Sequence, residues 1–113
     1  MYETVYTFKT ARFTVTLAIA PENINPRDCF DMAEHDYKEL CDKIDRGVYL
    51  WFVARVKIEC DGREVGVDYL GGCCYESVDQ FRRDNYFYDM VRGVCRQARR
   101  AIENSPKLKK SLA

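Results

Sequence analysis

Apolar and polar residues alternate from Val48 to Cys60 and again from Arg63 to Leu70, with Asp61-Gly62 between the two runs. Asp-Gly between alternating runs predicts a β-hairpin, because a type I′ turn needs positive φ at both central residues. A two-residue loop sets the register. Cys60 then faces Arg63, Ile58 faces Val65, Val56 faces Val67 and Ala54 faces Tyr69, all on one side of the ladder. The other side pairs Arg55 with Asp68, which supports this register, and Glu59 with Glu64, which mildly opposes it. A one-residue slip would turn the apolar set outward, so the register is expected to be well specified.

The same reading extends to both flanks. Phe13, Val15, Leu17 and Ile19 share one parity, with Thr14, Thr16 and Ala18 between them, which predicts a strand over 12–20. Residues 3–9 predict another strand, with a turn near Thr10-Ala11; a single long bent strand is the alternative. Pro21 ends the second strand. Asn25 is placed as an N-cap with Pro26 at the first helical position. Phe30, Ala33, Tyr37, Leu40, Cys41 and Ile44 recur at spacings of three and four, predicting an amphipathic helix over about 27–45 that stops at Gly47. Ser77 and Gln80 fit a capping box for a short helix that breaks near Asp84-Asn85. Phe87, Met90, Val91, Val94, Cys95, Ala98, Ala101 and Ile102 then form the stripe of a last helix over about 86–103, ended by Asn104 and Pro106, with residues 107–113 as a frayed tail. The order β-β-α-β-β-α predicts an α+β protein, residues 1–113 as a single domain: one antiparallel sheet with two main helices packed on one face.

Length and composition fit one globular core: 113 residues, 47% hydrophobic and 13% aromatic. There is no apolar run long enough to span a membrane and no signal-peptide pattern at the N-terminus, so a cytoplasmic location is expected. The net charge is zero but segregated. Residues 28–46 carry an excess of acids, and residues 82–113 an excess of bases. Such asymmetry points to polar partners or self-association; the simpler reading is two amphipathic helices with solvated outer faces.

Candidate chemistry is sparse. Six cysteines occur with no C-x-x-C pair, so no zinc framework is present and reduced thiols are expected. The lone histidine, His35, lies between Glu34 and Asp36; a Cys–His nucleophile pair would require the fold to bring it to Cys73 or Cys74. No metal or cofactor site and no catalytic set is assigned. Gly71-Gly72 lacks a helix start directly after it, so a tight bend is the simpler reading than an anion cradle.

Two surfaces carry more weight. On the last helix, Arg92, Arg96, Arg99 and Arg100 fall on the outer face with Tyr88 one turn earlier, a set suited to phosphates or an acidic protein surface. On the hairpin, Tyr49, Trp51 and Val53 point away from the core parity, with Leu70 placed opposite Val53. If helices cover only one side, this leaves an aromatic patch, and such patches mark interaction sites. Burial of that strand end by the N-terminal segment or the short helix is the simpler reading.

The string Gly66-Val-Asp-Tyr-Leu-Gly-Gly-Cys-Cys-Tyr75, with Phe81, Asp89-Met90-Val91 and Gln97-Ala98-Arg99, resembles a family of small proteins from phages and mobile elements of bacteria. Some of these are grouped with anti-CRISPR and anti-restriction genes. The likeness covers about residues 48–102. It implies a cytosolic, non-enzymatic protein that blocks a nuclease complex of the host by mimicry or occlusion, and it assigns no functional residue. The expectation is therefore an interaction protein that inhibits a nucleic-acid-targeting defence complex, with Tyr49, Trp51, Tyr75, Tyr88 and the four arginines as partner-binding residues. The acidic surface of Asp31, Glu34, Asp42 and Asp45 is the alternative, as an imitation of phosphate spacing. Alternative functions are a nucleic-acid-binding module using the basic helix, or a thiol-dependent enzyme centred on Cys73, Cys74 and His35. A host protein or nucleoprotein complex is the expected partner, and a homodimer is compatible with the charge pattern.

Overall fold

A computed structural model describes residues 1–105. It is an α+β fold built on a four-stranded antiparallel sheet in the order β1-β2-β3-β4. The strands are β1 (Glu3–Lys9), β2 (Phe13–Pro21), β3 (Leu50–Cys60) and β4 (Arg63–Tyr75). Helices α1 (Pro26–Cys29) and α2 (Glu34–Asp45) lie between β2 and β3, and α3 (Val78–Arg82) and α4 (Asn85–Glu103) follow β4. Each strand pairs with its neighbour in sequence, so the sheet is a meander whose middle connection is enlarged by two helices.

The local signals act as expected at several points. Asp61 and Gly62 both have positive φ, 52° and 81°, as the turn requires. Asn25 accepts from the Arg27 N–H with Pro26 in the first turn, and the Ser77 hydroxyl accepts from the Gln80 N–H. Gly47 (φ 76°) ends α2: its N–H reaches Ile44 and that of Val48 reaches Lys43, the paired bonds of a Schellman stop.

The hairpin register departs from expectation after two pairs. Cys60 faces Arg63 and Glu59 faces Glu64, but Ile58 then faces Gly66, because Val65 is an extra residue in β4. The Arg55–Asp68 pair is therefore not made. Asp68 lies across from Val56, Tyr69 across from Arg55 and Leu70 across from Ala54. Tyr69 turns outward and Leu70 packs on the core, the reverse of the unbulged register. A second irregularity sets Gly71-Gly72 against Val53, with Gly72 at φ 66°. The physical reason for the first bulge is Gly66. A Cβ there would lie 2.8 Å from the Val94 carbonyl oxygen and 3.1 Å from the Gln97 Cβ. The bulge puts the glycine where α4 comes closest, at a point where any side chain would hold the helix off.

The core lies between the sheet and α4. Val15, Leu17, Phe52, Ala54, Val56, Ile58 and Cys60 from the sheet meet Met90, Val94 and Ala98 from α4, with Phe81 of α3 closing one end. The expected helix over 27–45 is two helices. Phe30 leaves helical geometry (φ −128°) and its ring packs on Trp51, 5.9 Å between centroids, so a tertiary contact interrupts the helix. Of the two main helices placed over one face, α4 supplies the cover. α2 buries no residue completely, and the core cluster contains none of its side chains. The tail of 107–113 and the stop at Pro106 lie outside the described residues.

The two edges of the sheet differ. On the β4 side, the Gln97 side-chain amide caps the edge at Val67: its oxygen accepts from the Val67 N–H and its nitrogen donates to the Val67 carbonyl, both at 3.0 Å. No described strand lies beyond β1.

Candidate functional site

The candidate partner-binding residues separate into two groups. Three of them are tied into the fold. Trp51 is half-buried; its indole N–H donates to the Ile24 carbonyl at 2.9 Å, and its ring lies under Phe30 and beside Gly72. Tyr75 donates its hydroxyl proton to Asp84 at 2.6 Å and packs its ring on Phe81 and Phe52. Burial, with Asp84 beside it, pushes that phenol above its ordinary value, and the tyrosine bond holds the Asp84 carboxyl low. Tyr49 is half-buried under the Lys43 ammonium, 5.6 Å from its ring centre.

The second group stands in solvent along α4. Met90, Val94 and Ala98 hold the helix to the sheet, which turns Tyr88, Arg92, Arg96, Arg99 and Arg100 outward, all exposed. Each i,i+4 step climbs about 6 Å, so the backbone positions from Arg92 to Arg100 span about 12 Å along the helix axis. Arg92 lies 5.7 Å from the Tyr88 ring centre. Among the described residues, none of these four arginines forms an ion pair. Exposed acids, Asp89 and Glu103, bracket the row.

The acidic face is more occupied. Glu34 pairs with Arg27 at 2.7 Å, Asp42 with Arg46 at 3.1 Å, and Glu39 with Lys43 at 3.2 Å. Asp31 and Asp45 are exposed without a described ion pair. His35, Asp36 and Glu39 bring ligand-type atoms within 4.8 Å of one another on the solvent side of α2, where carboxylates are ordinarily hydrated.

Gly71-Gly72 does meet an anion, and it is the chain's own. Glu22 accepts from the Gly72 N–H at 2.8 Å with one oxygen and from the Ile24 N–H at 3.1 Å with the other. The bend is thus closed by a carboxylate 50 residues earlier in the chain.

The thiols near that bend are not poised as nucleophiles. Cys73 is buried and directs its Sγ to the Leu70 carbonyl; burial pushes its pKa up to about 11. Burial also raises Cys74 and Cys60. A cleft of about 470 Å³ contains Cys29, Cys73 and Cys74 with Asp84 and Tyr86, and His35 is not among its lining residues. His35 is exposed on α2 beside Glu39.

Sequence reasoning did not find a groove of about 490 Å³ between β1–β2 and the C-terminal half of α4, lined by Phe8, Phe13, Val15, Ile58, Ala98 and Ile102. Phe13, Val15 and Ile58 carried the strand signal, but nothing in it said that α4 would leave this corner of the sheet open. Among the described residues, no helix is long and apolar enough to cross a membrane. Comparison of the chain with models of protein families, with curated proteins and with solved structures finds no match.

Proposed function

We propose that this chain is a non-enzymatic binding protein that docks the outer face of α4 onto an anionic surface of a host protein or nucleoprotein complex. The observation that carries this reading is the row of Arg92, Arg96, Arg99 and Arg100, exposed and without described ion partners, beside exposed Tyr88. A guanidinium fork pairs bidentately with carboxylate or phosphate, and a tyrosine adds rigid contact area at small entropic cost. The acidic helix α2 is a weaker candidate, because Glu34 and Asp42 already have cationic neighbours. Trp51 and Tyr75 act here as clamps of the fold, which moves the partner surface from the hairpin to the helix. An inhibitor of a nucleic-acid-targeting defence complex, as the family resemblance implies, fits a protein of this kind.

A double reversal, Arg96→Glu with Arg99→Glu, tests the reading. It should abolish capture of a partner from nuclease-treated bacterial lysate while leaving the melting temperature within a few degrees of wild type. Capture that survives the reversal would rule this face out.

The second reading uses the same face for nucleic acid directly, and the guanidinium row favours it. Each neutralised phosphate contributes about 0.9 to the slope of log K against log salt, so four arginines predict a slope of about −3 to −4 on duplex DNA. A protein partner predicts capture that persists after nuclease treatment. The thiol-enzyme reading has less support, since burial raises both Cys73 and Cys74 above the ordinary thiol value.

A further inference from the structure

We infer that α2 of one copy docks antiparallel on the arginine row of α4 in a second copy, an inference that rests on reading that row as a binding face. Charge is the first observation. Residues 28–46 hold seven acids against three bases, and the row offers four cations to that excess of four. Within one chain the two sets do not meet. No described ion pair joins α2 to α4, and the cations that do pair with α2 acids, Arg27, Lys43 and Arg46, are near neighbours in sequence. The chain has no net charge, so repulsion between copies is small and opposite patches attract.

Register is the second observation. Lys38, Asp42 and Asp45 follow one another along α2 at steps of four and three residues. Glu103, Arg99 and Arg96 follow along α4 at the same steps in the reverse direction. Antiparallel docking therefore sets Lys38 against Glu103, Asp42 against Arg99 and Asp45 against Arg96, three opposite-charge pairs over about 10 Å of helix. Parallel docking of Lys38 on Asp89 puts Asp42 opposite Gly93 instead of an arginine. At about 100° per residue each trio shares an arc of about 60°, so each lies on one face of its helix. All six residues are exposed. The acids also keep bonding capacity. Asp45 has no described ion pair, and Asp42 meets Arg46 through Oδ2 alone. An exposed pair of that kind is weak, and Oδ1 stays open to the Arg99 fork.

Sedimentation equilibrium on the full chain, from about 10 μM to about 1 mM, covers the affinities of a small interface. At about 10 mM salt, where charges act over about 30 Å, the average mass should rise above 13.3 kDa; at about 1 M, where they act over about 3 Å, it should stay there. This salt series needs no variant. Arg96→Glu with Arg99→Glu should hold the mass at 13.3 kDa at low salt, and so should Asp42→Arg with Asp45→Arg. An equimolar mixture of the two variants sets the reversed α4 of one against the reversed α2 of the other, so it should associate again. Wild type that stays at 13.3 kDa at low salt, association that survives about 1 M salt, or reversed variants that associate alone as wild type does would each overturn the proposal. Monomeric wild type that still captures a lysate partner would sink the self-association alone. Self-association with capture untouched by the Arg96→Glu and Arg99→Glu reversal would sink only the reading of α4 as the face for a host partner.

Discussion

Gly66 and Gly93 offer opposite outcomes from one chemical change. A Cβ at Gly66 would sit 2.8 Å from the Val94 carbonyl oxygen, 3.0 Å from the Ile58 Cγ2 and 3.1 Å from the Gln97 Cβ. The nearest atom is helix backbone, so it cannot rotate away. Relief requires α4 to retreat by several tenths of an ångström, just where Val94 is fully buried and Gln97 bonds Val67. Overpacking of this kind costs about 1–3 kcal/mol. The smaller unfolded-state entropy of alanine offsets about 0.4–1 kcal/mol. The net loss of about 1–2 kcal/mol lowers Tm by about 4–15 °C for a domain near this size. At Gly93 an added Cβ meets only Arg96 Nη2 and Asp68 Oδ2, both at 4.0 Å. Gly93→Ala there should raise stability by about 1 kcal/mol through helix propensity. Calorimetry or urea unfolding of both variants is the assay. A Gly66→Ala protein at least as stable as wild type would refute the claim that α4 is seated through that glycine.

Gln97→Ala should cost about 1–2 kcal/mol, since two exposed hydrogen bonds of about 0.5–1.5 kcal/mol each are lost, and urea unfolding reads it. In native protein at pH 7.5 a thiol reagent should label exposed Cys29 and Cys95 first and leave Cys73 and Cys60 until unfolding, read by peptide mass; fast labelling of Cys73 would contradict its burial. Tyr75→Phe should change stability at both ends of the pH scale. Asp84 has a lowered pKa in the folded state, so its contribution is present above the ordinary carboxyl value and is lost as pH falls through the folded one. Tyr75 has a raised pKa, so folded protein holds its proton longer and stability falls as pH rises past about 10, the ordinary tyrosine value. Both steps should shrink in the variant, as followed by Tm against pH.

The elements were legible because their signals are local. Asp61-Gly62, Asn25-Pro26, Ser77 with Gln80, and Gly47 each act through one or two backbone groups nearby, and each does in the fold what its chemistry dictates. The register of β4 was not legible, because its cause lies 28 residues away: Gly66 must meet Val94, and the extra residue at Val65 arranges it. The split of the helix at Phe30 has the same character. The apolar stripe from Phe30 to Ile44 is continuous in sequence, yet Phe30 is extended and packs its ring on Trp51 instead of continuing the helix. Gln97 reads as one more polar residue on a helix, and only the placement of α4 turns it into the partner of the Val67 backbone.

The candidate site sharpens by the same logic. Trp51 and the arginines were equal candidates while their surroundings were unknown, since aromatic anchors and guanidinium forks both mark interfaces. What separates them is where their hydrogen-bonding groups go. The indole N–H of Trp51 has the Ile24 carbonyl, and the phenol of Tyr75 has Asp84; partner binding would have to break those bonds or use only ring edges. Arg92, Arg96, Arg99 and Arg100 are exposed and form no ion pair among the described residues, so their forks can meet a carboxylate or phosphate without breaking a salt bridge. A surface whose polar groups already have partners within the fold contributes shape to an interface, whereas one whose charges face water also contributes directed bonds. On that criterion we favour α4 over the hairpin: mutating Trp51 should lower stability, whereas mutating Arg96 and Arg99 should leave it unchanged and, on the proposed reading, weaken partner capture.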